Sequence, residues 1–185
     1  MTRREFFTAD SHFGHANIIR MCNRPFGSIE EHDRTIVENW NSVVGKDDVV
    51  WHLGDVFYGT EPKLARKTFE SLNGHKRLLL GNHDFRGGTR SLRWESVQHY
   101  AETSIDGIRI CLFHYAMRVW PGMHHGAVML YGHSHGRLPG NQQSMDVGVD
   151  VFGFAPVTWP QIRARLAELP PLEFRDGSDE TGGGE

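Results

Sequence analysis

Eight residues of this chain carry donor atoms suited to holding cations: Asp10 and His12, Asp55, Asn82, His83, His114, and His133 and His135. Carboxylate oxygens, one amide oxygen and imidazoles, with no thiolate among them, suit borderline-to-hard divalent ions such as Mn²⁺, Fe, Zn²⁺ or Ni²⁺. The one-residue spacing in Asp10-x-His12 and His133-x-His135 lets a single loop aim both side chains at one cavity. Asp55 follows Gly54, where the backbone can turn sharply and leave the carboxylate between two cations. Asn82 adds an oxygen without a charge, so a pair of divalent ions keeps positive charge to attract an anion such as phosphate. Histidine is over-represented, with twelve residues dispersed along the chain rather than clustered as a tag.

Each of these donors follows a short apolar run that reads as a strand: Arg4 to Ala9, Asp48 to Leu53, Lys76 to Leu80, Ile108 to Phe113 and Ala127 to Tyr131. A further run from Ser144 to Val149 alternates Met145, Val147 and Val149 with small or polar residues, the pattern of a half-buried strand. Helices are predicted over Gly14 to Cys22, from the Ser28–Glu31 capping box to about Val44, from Glu61 to Leu72, from Ser91 to Ala101, and from Thr158 to about Glu168. Alternating strands and helices predict an α/β domain with covered sheets. Such sheets bind ligands beyond the carboxyl ends of their strands, which is where the donors stand.

At 185 residues the chain is long enough for one domain with a sizeable core, expected over residues 1–169, with a polar, Gly-rich disordered tail over 170–185. A formal charge of −3 makes no electrostatic case for long nucleic acid. Cys22 and Cys111 lie far apart and form no C-x-x-C pattern, which favours reduced thiols. No N-terminal apolar segment and no membrane-length run is present, so a cytoplasmic location and no membrane partner are the default expectations.

Taken in order, Asp10-x-His12, Gly54-Asp55, Gly81-Asn82-His83-Asp84, His114 and Gly132-His133-x-His135 resemble the signature of the calcineurin-like metallophosphoesterase superfamily over roughly residues 6 to 150. The opening Asp10-Ser-His-Phe-Gly-His15 is similar to its small bacterial and phage phosphoesterases. The resemblance implies a four-layer αββα sandwich of two mixed sheets with flanking helices. It implies two divalent ions, Mn²⁺ being the first expectation. One would be held by Asp10, His12, Asp55 and His135, the other by Asp55, Asn82, His114 and His133. Phosphate esters would be hydrolysed by in-line attack of a hydroxide shared by the ions. His83 would stabilise the phosphoryl group and protonate the leaving oxygen, with Asp84 orienting it.

His15, Asn17, His52, Arg86 and Arg118 are the candidates for substrate contact. The protein phosphatases of the superfamily continue the Gly-Asp block with Val-Asp-Arg-Gly. Here it continues Val56-Phe57-Tyr58-Gly59, which moves the expectation toward phosphodiesters, nucleotides among them. A phosphomonoesterase and a non-catalytic scaffold of the same fold are the alternatives. The oligomeric state is not legible.

Overall fold

Phe6 and Phe7 leave β1 (Glu5–Thr8) on opposite sides, and that alternation divides the molecule into layers. The computed structural model describes residues 3–85 and 88–173. Its other elements are α1 (Ala16–Met21), α2 (Ile29–Val43), β2 (Val49–His52), α3 (Pro62–Ser71), β3 (His75–Leu79), β4 (Ser96–Gln98), β5 (Tyr100–Ile105), β6 (Ile108–Phe113), β7 (Val128–Tyr131), β8 (Ser144–Asp146), β9 (Val157–Thr158) and α4 (Trp159–Ala167). One mixed sheet has the order β4-β3-β2-β1-β9 and the other β5-β6-β7-β8.

Phe6, Val50 and Leu78 point outward, where Ile36 and Trp40 of α2 and Ala65 and Phe69 of α3 cover them. Phe7, Val49, Trp51 and Leu79 point inward and meet Ile110, Leu112, Val128, Leu130 and Met145 of the second sheet. Trp159, Ile162 and Leu166 of α4 join that central layer. The outer face of the second sheet, with Cys111, Met129 and Tyr131, is packed by Trp120 and Met123 from the segment around a 3₁₀ turn at Met123–His125. Fully burying a side chain of this kind contributes about 1.5–3 kcal/mol, so the two internal layers dominate folding.

Local signals set several boundaries. Ser28 Oγ accepts from the Glu31 amide and caps α2, while Glu31 Oε2 reaches past Ser28 to the Gly27 amide. Glu61 Oε2 accepts from the Leu64 amide at the start of α3, and Gln161 Oε1 accepts from the Thr158 amide at the start of α4.

Three expectations are corrected. The predicted helix over Ser91–Ala101 is instead a 3₁₀ turn at Thr89–Ser91 followed by β4 and the start of β5. The pairings decide it, because Ser96–Gln98 satisfies the free edge of β3 and Tyr100–Ile105 that of β6. The stretch from Ser144 to Val149 is buried throughout rather than half-buried, and its strand stops at Asp146. The ordered chain also runs past residue 169, since the Pro170 carbonyl accepts from the Gln142 amide and Leu172 packs on the outer layer. Residues 174–185 of the tail expected over 170–185 lie outside the described residues. Among the described residues, no helix is long and apolar enough to cross a membrane.

β1, β2 and β3 run parallel, as do β6 and β7, so the loops leaving them gather at one end of the sandwich. Backbone bonds lock those loops to one another. Asp10 donates to the Gly54 carbonyl and His12 to the Asp55 carbonyl, each at 3.0 Å, and a bridge between Ala9 and Gly148 ties the two sheets together.

Candidate metal centre

Among the described residues, eight non-glycine residues have positive φ, and Asp10, His12, Asp55, His133 and His135 are five of them. A left-handed non-glycine residue costs on the order of 1–3 kcal/mol, and such residues persist where the surroundings over-determine them. Here the strain turns each side chain back toward one point. Glycines allow the close approach: a Cβ on Gly81 would lie 2.2 Å from Asp55 Oδ1.

Two groups of donors result, with ligand atoms within 4.8 Å of one another: Asp10, His12 and His135, and Asp55, His114 and His133. Asp55 Oδ2 joins them, at 3.7 Å from His12 Nε2 and 3.5 Å from His114 Nε2. Two metal bonds of ~2.1 Å set at tetrahedral to trigonal angles separate their donor atoms by ~3.4–3.7 Å, so these spacings suit a shared cation.

The hydrogen bonding supports the same reading. His114 Nδ1 lies 2.7 Å from the Leu53 carbonyl, which can only accept, so the proton is assigned to Nδ1 and Nε2 keeps its lone pair. That lone pair faces Asn82 Oδ1 at 3.2 Å, two acceptors in contact. His135 Nδ1 lies 2.8 Å from Asp150 Oδ2, which likewise leaves its Nε2 free as a donor to a cation. Asp10 Oδ1 and His12 Nε2, 3.9 Å apart, are buried without a hydrogen-bond partner.

Burial, then Asp146 and Asp55, pushes the Asp10 carboxyl well above the usual carboxylate range. Burial, then His135 and Arg24, pushes the His12 imidazole far below its ordinary value. His114 is also lowered, chiefly by burial. A neutral imidazole beside a carboxylate reluctant to ionise is a site that a cation relieves. The residues fit divalent metal.

A further row of carboxylates pins the loops. Asp84 Oδ2 accepts from the Asp55 and Gly81 amides at 2.8 and 2.9 Å, and its Oδ1 from the Val56 amide at 3.1 Å. Burial nevertheless pushes its carboxyl up to about 6, against those three N–H groups. Both Asp84 oxygens accept from backbone and hold the Asp55 and Gly81 turns together, while the expected role in orienting His83 has no side-chain hydrogen bond between the two behind it among the described residues. Asp146 accepts from Ser134 Oγ and from the Gly136 and Gly148 amides, and so fixes the loop that carries His133 and His135.

His83 stands on the open side, its side chain 31% exposed and its Nε2 3.8 Å from Asp55 Oδ2. It also forms a group with His12 and Asp55, so its nitrogen is within reach of a cation as well as of substrate. His15 lines the same side, with its ring 4.1 Å from Tyr58 and 5.4 Å from His12. His52 is buried behind the centre, where its Nε2 meets Ser11 Oγ at 2.8 Å, so it supports the Asp10–His12 loop and does not reach substrate. Asn17 is exposed on α1 and has no side-chain hydrogen bond to the centre among the described residues; Arg118 is exposed on the loop after β6. Arg86 lies outside the described residues.

The sequence reading missed Tyr58, Tyr115, Asp146, Asp150 and Arg24. Tyr58 packs edge-on to His83 at 4.8 Å, and Tyr115 packs edge-on to His133 at 4.7 Å, so aromatic rings flank the centre. Their position directly after the Asp55 and His114 motifs was the available signal. Cys22, His135 and Asp150 also cluster, but Arg24 and Arg137 face them and Asp150 is engaged by Arg24, which disfavours a cation there.

A family model described as calcineurin-like phosphoesterase matches residues 6–134. The Methanocaldococcus jannaschii protein MJ1445 is 31% identical over 164 residues, covering 84% of this chain and 87% of that protein. The Gene 66 protein of Mycobacterium phage D29 is 32% identical over 178 residues, covering 80% and 88%. The crystal structure of AQ665 from Aquifex aeolicus superposes with a TM-score of 0.71 at 21% identity, covering 89% of this chain and all of that one, a likeness of fold.

Proposed function

This chain belongs to the calcineurin-like phosphoesterase family and is a metal-dependent phosphoester hydrolase; we propose that it works with two divalent cations, Mn²⁺ first among them, and prefers phosphodiesters. The observation that carries the two-ion reading is the pair of donor groups meeting at Asp55, each with lone pairs turned inward. Asp10, His12 and His135 would hold one ion, Asn82, His114 and His133 the other, and Asp55 both. Oxygen and imidazole donors without thiolate favour Mn²⁺, with Fe, Zn²⁺ and Ni²⁺ also accommodated. When bound, such a pair supplies a water acidic enough to attack at neutral pH and neutralises charge on the phosphoryl oxygens.

The chain's own residues do the rest. His83, partly exposed beside Asp55, is placed to bind the phosphoryl group and to pass a proton to the leaving oxygen. Tyr58, His15 and Tyr115 form an aromatic flank to the centre. A diester carries a single negative charge and two organic groups. Such a flank suits it better than it suits a monoester dianion, whose grip favours guanidinium forks. Nucleotides belong to this substrate class. The two free thiols, Cys22 and Cys111, favour a reducing, cytoplasmic setting.

The test compares bis(p-nitrophenyl) phosphate with p-nitrophenyl phosphate on chelator-stripped protein, with and without Mn²⁺. Mn²⁺-dependent turnover with the larger kcat/KM on the diester is the expected result. A monoester preference would overturn the substrate class.

A further inference from the structure

Arg24 lies between α1 and α2, with its side chain completely buried. A buried guanidinium needs acceptors for all five N–H groups, and here each has one. Nε donates to Asp150 Oδ1 at 2.8 Å, and Nη2 to Asp150 Oδ2 at 2.7 Å and to the Asp10 carbonyl at 2.8 Å. Nη1 donates to the Ser11 carbonyl at 3.2 Å and to His32 Nε2 at 2.6 Å. Because His32 accepts at Nε2, its proton sits on Nδ1 and is donated to Asp33 Oδ1 at 2.7 Å. Asp33 in turn accepts from the Gly14 amide. At the other end Asp150 Oδ2 takes the Nδ1 proton of His135.

The run Asp33–His32–Arg24–Asp150–His135 therefore grips the loop after β1 at Asp10, Ser11 and Gly14, and the loop after β7 at His135. Those loops leave different sheets, and they supply all three donors of one group, Asp10, His12 and His135. Among the described residues, no hydrogen bond links Arg24 or Asp150 to the side chains of Asp55, His114 or His133.

We propose that Arg24 and Asp150 are positioning residues that set cation affinity selectively at the Asp10–His12–His135 position. Asp150 acts in two ways in the same direction. It fixes the His135 tautomer so that Nε2 faces the cation, and it neutralises the Arg24 charge that would otherwise repel one. The proposal rests on the two-ion reading and deepens it.

The experiment is Mn²⁺ binding by equilibrium dialysis with elemental analysis, on chelator-stripped full-length protein. For Asp150→Asn, one of two Mn²⁺ equivalents is expected to weaken by about 10–100-fold while the other moves less than about 2-fold, the range for losing the hydrogen-bond partner of a ligand histidine. In a His135→Ala background the same substitution is expected to weaken that equivalent by a clearly smaller factor than in the wild type, because only the neutralisation of Arg24 is then lost. Arg24→Lys keeps the buried charge but cannot reach every acceptor, and is expected to weaken the same equivalent. Equal weakening of both equivalents, no weakening, or a full additive effect on top of His135→Ala overturns the proposal. Loss of the fold in both the Asp150 and Arg24 variants assigns the pair to scaffolding and overturns it too. A single Mn²⁺ in the wild type defeats the two-ion reading instead, and the His135→Ala cycle then still decides this one.

Discussion

His52 links the stability of the fold to the loop that carries Asp10 and His12. Its ring is buried against Trp40, its Nε2 meets Ser11 Oγ, and its Nδ1 is buried without a partner. Burial, with His114 adding to it, pushes the imidazole down to about 3. The unfolded chain protonates this residue near pH 6.5. A folded-state value below the unfolded one gives stability that is fully present above pH 6.5 and is lost as pH falls toward 3. At pH 5 the gap is about 1.5 units, or roughly 2 kcal/mol at ~1.36 kcal/mol per unit. His52→Gln keeps a polar group near Ser11 and removes the titration. Repacking lowers its stability at every pH, by less than ~3 kcal/mol.

The informative quantity is the difference between the two proteins as pH changes. Urea unfolding of chelator-stripped wild type and His52→Gln at pH 7.5, 6.5 and 5 measures it. The wild type is expected to lose about 2 kcal/mol more than the variant between pH 7.5 and 5. A difference that stays constant within ~0.5 kcal/mol would refute the reasoning, because it would mean that His52 takes a proton in the folded state without penalty.

Other consequences follow from the same geometry. His83→Ala should keep its Mn²⁺ stoichiometry in elemental analysis while turnover falls by about 10²–10⁴; loss of an ion would make His83 a ligand instead. Asp84→Asn should weaken Mn²⁺ binding in dialysis by about 10–100-fold along with turnover, since one of the two oxygens that accept from the Asp55, Gly81 and Val56 amides becomes an N–H donor facing a backbone N–H. A changed pH–rate profile with intact Mn²⁺ affinity would restore Asp84 as the partner of His83. Gly81→Ala places a Cβ 2.2 Å from Asp55 Oδ1 and 2.6 Å from its amide, so it should cost ~1–3 kcal/mol in urea unfolding and abolish Mn²⁺ binding.

Much of this was legible because strands write their ends into the chain. Asp55 and Gly132-His133 come after four-residue runs, Val49–His52 and Val128–Tyr131, that are buried along their whole length, and His114 follows β6, whose centre is buried. Parallel strands then carry those ends to one edge. What escaped the reading depends on partners distant in sequence. Arg24 and Asp150 stand 126 positions apart, and neither belongs to a periodic pattern. Asp146 looked like the polar half of an alternating strand, yet it is buried because backbone amides and Ser134 surround it. The segment from Ser91 to Ala101 became strand because two sheet edges were open to it, a demand that local propensity does not record. Tyr58 stood in the sequence only as part of the block after Asp55, yet the residue is 44% exposed beside His15 and His83.

The central claim is that two cations meeting at Asp55 act as one hydrolytic unit. A stepwise Mn²⁺ titration of chelator-stripped protein, following bound Mn²⁺ and bis(p-nitrophenyl) phosphate turnover in the same samples, tests it most directly. Turnover should stay low through the first equivalent and rise with the second, and Asp55→Ala should lose both binding and activity. Full turnover at one equivalent per chain, or two tightly bound ions retained in Asp55→Ala, would contradict it.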